Sequence, residues 1–480
     1  MPRKKRPCTA LLGASLIVLL PRPALAQAVH WVCSTDQQRW HKAPDLAFAP
    51  AVPDRKSSIE IFTNQSLQQI DGFGGCFNEL GWQALLSLTP PERKKILRQL
   101  FSADGANFGL CRVPIGSSDY AFSYYSYDDV ADDFAMENFN IDRDRYVLIK
   151  FIKAAKEIRA DLRLWGSPWS PPSWMKVNNH YALNVGPTGS PSAKMSPGKR
   201  IANNATAFRM ENDYLEAYAL YFSKYLQAYQ KEGLEISRVC VQNEIVYTPY
   251  WPSCTWRSED LAYFIGKYLG PRFSQDKLAT EIWLGTVNCA DAGYVRTVIK
   301  DKLAGKYVAG IGVQWDAKKV IDQVHQDFPT MPLMQTESEC GNGEKNWKSA
   351  EYTWSLMHRY LSHGVNAYMY WNMVLDSSGK SSWGWKQNML ISVDVNSGEV
   401  VYTPEFYVMM HLSHFVLPGA HRLQTSGGDD HLAFVNPDGT RVLMLVNTSD
   451  APMTVTIAAD GRQLHGKIDA RSFNTFTWKP

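Results

Sequence analysis

Short apolar runs alternate with amphipathic stretches of helical period over most of this chain. The runs at 72–77, 108–114, 161–166, 237–242, 281–286, 308–314, 331–336 and 366–371 have the length and composition of strands. Between them, apolar residues recur at helical spacing over 90–101, 145–158, 214–231, 258–269, 318–327 and 347–362. Pro90-Pro91-Glu92 suits a first helical turn, where proline sacrifices no needed donor. Eight strands with mostly helical crossovers between Asp71 and Asp376 predict an α/β fold, a (β/α)8 TIM barrel. An open doubly wound sheet fits the same alternation but buries eight strands less economically.

The flanks have a different pattern. Residues 58–64 and most of 432–478 are rich in β-branched residues and turn pairs, as in Asn436-Pro437-Asp438-Gly439. They predict a side β-sandwich built mainly from the C-terminus, with an N-terminal strand added. The expected division is a signal peptide over 1–26, a segment contributing to the sandwich over 27–70, the barrel over 71–415 and the C-terminal sandwich over 416–480. A chain of 480 residues exceeds what one core usually serves, which agrees with two units.

The signal peptide is read from Arg3, Lys4, Lys5 and Arg6, the apolar run over 8–20, and the small-x-small site Ala24-Leu25-Ala26. That run is too short to span a bilayer comfortably and no second one follows. The expectation is therefore an exported protein, secreted or periplasmic or at the cell surface, without stable membrane insertion. A net charge of +3 with no basic run past the extreme N-terminus argues against nucleic acid as a partner. Seven cysteines remain after cleavage, an odd and scattered set that reads mostly as buried thiols with room for one local bridge. No metal-binding motif occurs, and Gly72-Phe73-Gly74-Gly75 lacks the spacing of a phosphate loop, so no metal or other cofactor is expected. Aromatic residues at 12 % raise the odds of a carbohydrate site, since sugar C–H faces suit Trp and Tyr.

In such a barrel, chemistry sits at the C-terminal strand ends. Strand four ends at Asn243-Glu244 and strand seven at Thr336-Glu337. Either glutamate alone is an ordinary loop carboxylate. Together they match the two groups that glycoside hydrolysis requires. Glu339, two residues on, is a rival to Glu337. Other strand ends supply Arg112, able to pair with a carboxylate or bind substrate, Asp119 for sugar hydroxyls, and Trp169 and Trp371 as stacking surfaces. Trp174 reads as core.

Asp71-Gly72-Phe73-Gly74-Gly75, Arg112-Val113-Pro114, Ser167-Pro168-Trp169, Asn243-Glu244, Thr336-Glu337 and Trp371-Asn372 occur in the order seen in glycoside hydrolase family 30. The chain resembles that family from about Asp71 to Arg422. The resemblance implies retaining chemistry, with Glu244 as acid/base and Glu337 as nucleophile, chosen over Glu339 by motif register. It further implies that Asn243 holds the sugar 2-hydroxyl, and that Asp119, Trp169, Trp371 and Asn388 line a glucose subsite. Trp315 joins these candidates, but in Gln314-Trp315-Asp316, where glucosylceramidases carry His-Trp-Tyr. The flanks of Gly74-Gly75 and Glu337 look closer to bacterial β-1,6-glucanases, so a β-glucan or other β-glucoside is the expected substrate. A glucosylceramidase-like specificity is the alternative, and β-xylanase or β-fucosidase are near competitors. A non-catalytic carbohydrate-binding protein or a metal-dependent hydrolase would be rivals of another class.

Overall fold

The computed structural model describes residues 1–2, 27–51 and 56–480; the signal-peptide reading lies outside them. Eight parallel strands close into a barrel in sequential order: Gly72–Cys76, Leu110–Ile115, Arg163–Pro168, Ile236–Cys240, Glu281–Val287, Val308–Gln314, Leu333–Glu337 and Ala367–Asn372. The eighth closes onto the first, with Ala367 opposite Gly72 and Tyr370 opposite Gly75. These strands are buried almost end to end, because helices cover one face and barrel side chains fill the other. Leu110, Trp165, Trp283, Met334 and Met369 form a cluster of their own inside the barrel.

The glycines of the first strand serve close packing. A Cβ on Gly74 would lie 1.8 Å from the Leu110 carbonyl oxygen, and one on Gly75 would lie 2.3 Å from the Met373 side chain. Helix Pro90–Phe101 forms as the pattern predicts, with Thr89 and Glu92 closing a capping box and Ile96, Leu97, Leu100 and Phe101 facing inward. The expected helix over 258–269 instead widens into a π turn at Ile265–Leu269 before continuing as Gly270–Gln275. Pro271 has no N–H to return to the preceding turn, which accounts for the widening.

The second unit is a closed sheet of nine strands. The N-terminal segment supplies three of them, Gln27–Ser34, His41–Pro50 and Ile59–Gln69, rather than the single strand expected. Gln27–Ser34 pairs antiparallel with Ser472–Trp478, zipping the two ends of the described chain together. Val29, Leu443, Ile457 and Phe476 belong to its core, while Phe434, Met444 and Phe473 pack into the barrel's own core. Contacts such as Trp347 on Phe473, with ring centroids 4.9 Å apart, make the two units one packed body. Among the described residues no helix is long and apolar enough to cross a membrane, and all seven described cysteines are free.

His411, on helix Pro404–Ser413, joins the units: its ring nitrogens lie 2.9 Å from Thr475 Oγ1 and 2.8 Å from Ser34 Oγ. Burial, with His41 and His414 nearby, pushes this imidazole down to about 3 from its ordinary 6.5. The folded protein keeps it neutral, whereas the unfolded chain binds a proton below about 6.5, so stability is lost as pH falls from there toward 3. Thermal unfolding followed between pH 7.5 and 4.5 should therefore give a steeper fall in Tm for the native protein than for His411→Gln. Equal slopes would remove His411 as a source of acid sensitivity.

Candidate active site

At the C-terminal end of the barrel, the side chains of several strands converge on Arg112. This residue has no solvent exposure, and its donors are committed to specific acceptors. Nη1 donates to Glu337 Oε2 at 2.7 Å, Nη2 to Asn243 Oδ1 at 2.6 Å, and Nε and Nη2 to Ser167 Oγ at 3.0 and 2.8 Å. Its guanidinium plane lies 4.1 Å from the Trp169 ring centroid and 5.0 Å from that of Trp165. A guanidinium is costly to bury unless its fork and its faces find partners, and strands three, four and seven supply them here.

Glu337 ends the seventh strand, and its other oxygen, Oε1, accepts a hydrogen bond from Trp315 Nε1 at 3.2 Å. Trp315 turns in from the sixth strand with φ of 50°, so the tryptophan of the departing Gln-Trp-Asp triplet still reaches the carboxylate. Asn243 Oδ1 accepts from Arg112 and from Thr286 Oγ1 at 3.1 Å. Since arginine can only donate, this pins the oxygen inward and fixes which end of the amide is the NH2. Glu244 adopts φ of 49°, and its backbone N–H donates to Thr286 Oγ1 at 3.0 Å. A left-handed residue four positions past the strand, next to the isolated bridge of Asn243 to Thr286, turns its side chain out of the strand's register and over the barrel mouth.

There Glu244, Glu337 and Asp119 line one cavity of about 630 Å³. All three carboxyls are shifted upward, but unequally. Burial raises Glu337, and the Arg112 charge together with hydrogen bonds from Trp315 and Arg112 opposes it. Burial raises Glu244 well above the usual carboxylate range, and the charges of Glu337 and Asp119 add to that; Arg112 and Trp251 only partly oppose. Asp119 is likewise held well above its ordinary value, by burial first and Glu337 second. Its Oδ1 is buried without a hydrogen-bond partner. The chemical result is one carboxylate prepared to lose its proton first, beside a second that keeps its own.

Trp169 stacks on Trp371, with centroids 5.1 Å apart and planes at 30°; Trp169 lines the cavity, and the buried Trp371 supports it from behind instead of lining the cavity itself. Two sequence readings need correction. Arg112 is fully enclosed and acts on Glu337 and Asn243, not as a surface that meets substrate. Asn388 does not reach the cavity lining: its Oδ1 accepts the Gly343 N–H at 2.8 Å and its Nδ2 donates to Glu405 Oε1 at 2.5 Å, bracing the segment after strand seven. Its neighbour Gln387 lines the cavity instead. Glu339 pairs with Lys318 and accepts from the Tyr352 hydroxyl at 2.5 Å, away from the cavity. Trp174 is core, packed against Phe134 and donating to the Asp128 carbonyl at 3.0 Å.

The sequence reading missed an aromatic wall. Tyr247, Tyr250 and Trp251, in the loop just past Glu244, meet Trp385 at the cavity mouth. Trp251 and Trp385 have centroids 4.3 Å apart, and Tyr250 stands edge-on to Trp385 at 5.5 Å. The aromatic run Tyr247-Thr248-Pro249-Tyr250-Trp251 was a visible signal, but Trp385 comes from a distant loop. Asn288 and Asp316 supply polar groups to the same cavity.

Residues 70–416 match the Glycosyl hydrolase family 30 TIM-barrel domain, and 419–476 the Glycosyl hydrolase family 30 beta sandwich domain. "Putative glucosylceramidase 1" of Caenorhabditis elegans is 29 % identical, over 94 % of this chain and 88 % of that protein. An endo-1,6-beta-D-glucanase of Aspergillus fumigatus is 28 % identical over 85 % of each. The crystal structure of SrfJ from Salmonella typhimurium superposes with a TM-score of 0.84 at 24 % identity, over 94 % of this chain and all of that one.

Two outcomes are expected of substitutions here. Glu337→Gln should lower kcat by about 10⁴-fold or more, while Glu339→Gln, away from the cavity, should keep most of the activity. Comparable losses would reopen the choice between them. Arg112→Met removes the charge that favours ionised Glu337, so the acidic limb of the kcat/KM profile should move to higher pH. An unmoved limb would show that another group governs it.

Proposed function

The chain belongs to glycosyl hydrolase family 30, and on that premise we propose that it is an exported, retaining β-glycosidase acting on β-1,6-linked glucan. The observation that carries the reading is the unequal pair in one cavity: Glu337, gripped by Arg112 and Trp315, and Glu244, held well above the usual carboxylate range. Glu337 attacks the anomeric carbon as the glycosidic C–O bond breaks, and Glu244 passes its proton to the leaving oxygen. The ester so formed removes the Glu337 charge, which adds to burial in raising Glu244. Glu244 then loses protons more readily and can activate the incoming water, which regenerates both carboxyls and leaves the β configuration unchanged. The NH2 of Asn243, oriented by Arg112, is the donor for the sugar 2-hydroxyl, and the unpartnered Asp119 Oδ1 accepts from another hydroxyl.

The leaving-group side favours a sugar over a lipid. Trp251, Trp385 and Tyr250 offer flat faces, with Asp316 and Asn288 nearby for hydroxyls. Asp316 occupies the position where the glucosylceramidase pattern carries tyrosine. Export rests on the charged, apolar and small-residue segments of the first 26 residues.

Incubation in parallel with β-1,6-glucan, glucosylceramide and xylan tests the specificity. Release of β-1,6-linked oligosaccharides is expected, and turnover of the lipid alone would overturn it. Proton NMR of the first-formed sugar tests the stereochemistry: the β anomer should appear first, and early α anomer would exclude a retaining mechanism.

A further inference from the structure

Between Pro168 and Asn212 the chain makes a long excursion on the catalytic face, with only short 3-10 turns at Ser173–Met175 and Pro197–Lys199. Of this excursion only Trp169, at its start, lines the cavity. The rest packs against the loop that follows Glu244 and carries Tyr247, Tyr250 and Trp251. The Leu183 and Asn184 N–H groups both donate to the Pro249 carbonyl, at 3.0 and 2.9 Å. Ser192 Oγ donates to the Tyr250 carbonyl at 2.6 Å, and the Ser253 N–H donates to the Tyr181 carbonyl at 3.1 Å. The excursion is thus a brace for a loop that itself lines the cavity.

One side chain stands at the centre of the brace. Lys176 is wholly buried, and its Nζ donates to the Ser170 hydroxyl at 3.3 Å and to the carbonyls of Tyr181 and Ser253, both at 2.6 Å. An ammonium has three hydrogens, and here there are three acceptors, two from the excursion and one from the loop after Glu244. Ser170 follows Trp169 of the sugar floor, and Ser253 lies two residues past Trp251 of the wall. The backbone of Lys176 is fixed in turn, bridged to Phe208 and accepting from Arg209 Nε at 3.2 Å. Burial pushes the ammonium down to about 7. A buried amine is costly in a fold whether it keeps its proton or loses it, so its position calls for a reason beyond filling space.

We infer that Lys176 is a positioning residue for the leaving-group half of the site, holding the Trp251 wall at a set distance from the Trp169 floor. This rests on reading that wall as the leaving-group subsite. The backbone of Glu244 does not depend on the same staple, because it is tied to Thr286 on the fifth strand and the Trp256 N–H holds the Ile245 carbonyl beside it. The Trp251 hydrogen bond to its carboxyl does, and that contact bears on proton donation, which a fluoride leaving group scarcely needs. Loss of the staple should therefore weaken engagement of the leaving group and spare the chemistry on the donor sugar.

The test compares a β-1,6-glucan oligosaccharide with β-glucosyl fluoride, whose leaving group is too small to touch the wall. In Lys176→Met the KM for the oligosaccharide should rise about tenfold, one broken set of contacts, while kcat/KM for the fluoride stays within about twofold. In a Trp251→Ala background, Lys176→Met should add nothing further, because the two act through one element. Equal losses on both substrates, or additivity with Trp251→Ala, would overturn the inference. Should Lys176→Met fail to fold, Ser192→Ala removes another strut of the same brace and strands one carbonyl where Lys176→Met strands two. It should show the same split to a smaller degree, and unchanged oligosaccharide kinetics would count against the brace. If Trp251→Ala alone leaves the oligosaccharide unaffected, the reading of the wall fails. If Trp251→Ala matters and Lys176→Met does not, only the role of Lys176 fails.

Discussion

Arg112 carries its charge in a place with no solvent, and that charge opposes the effect of burial at Glu337, Glu244 and Asp119 alike. It touches only Glu337, at 2.7 Å. Contact with one carboxyl and mere proximity to the others is what separates their proton affinities. A buried ion pair of this kind contributes little to stability once its desolvation is counted, so its value lies in setting which acid ionises. Asn243, Ser167 and the faces of Trp165 and Trp169 are needed because an incompletely satisfied guanidinium could not remain there.

The barrel makes that convergence geometrically possible. Parallel strands bring Arg112, Ser167, Asn243 and Glu337 to one end from positions spread over more than two hundred residues of sequence. The first strand is glycine-rich because Leu110 and Met373 press against its backbone, which lets the ring close tightly between strands eight and two. Outside the ring, loops divide the labour. The loop after Glu244 touches the cavity, and the excursion after Pro168 holds that loop. Asn388 and Glu405 brace the segment after Glu337 in a similar way.

Strand ends and the two glutamates were legible because each depends on local pattern. Buried parallel strands are continuous apolar runs; Glu337 is the last residue of one and Glu244 lies four residues past another. Helix 347–362 was equally plain, whereas 258–269 was not, because the effect of Pro271 reaches back a turn into an otherwise regular pattern. The strands at Gln27–Ser34 and His41–Pro50 pair with each other, but the partners on their outer edges lie at the far end of the chain, and both were missed. The same reason hid Trp385, which gains meaning only beside Trp251. Asn388 matched a motif, but a motif does not say which way an amide points; here the Gly343 N–H and Glu405 had already claimed it. Choosing Glu337 over Glu339 needed motif register in the sequence, while in the fold it follows from Arg112 on one and Lys318 on the other.

The central claim is that Arg112 selects Glu337 as the group that attacks the sugar. A 2-deoxy-2-fluoro-β-glucosyl fluoride slows both steps but carries a good leaving group, so a retaining enzyme accumulates its covalent intermediate. Mass spectrometry of the digested protein should find a single fluoroglucosyl ester, on the peptide bearing Glu337 and localised to that residue by fragmentation. A label on Glu244, Glu339 or Asp119, or turnover with no covalent adduct, would contradict the account.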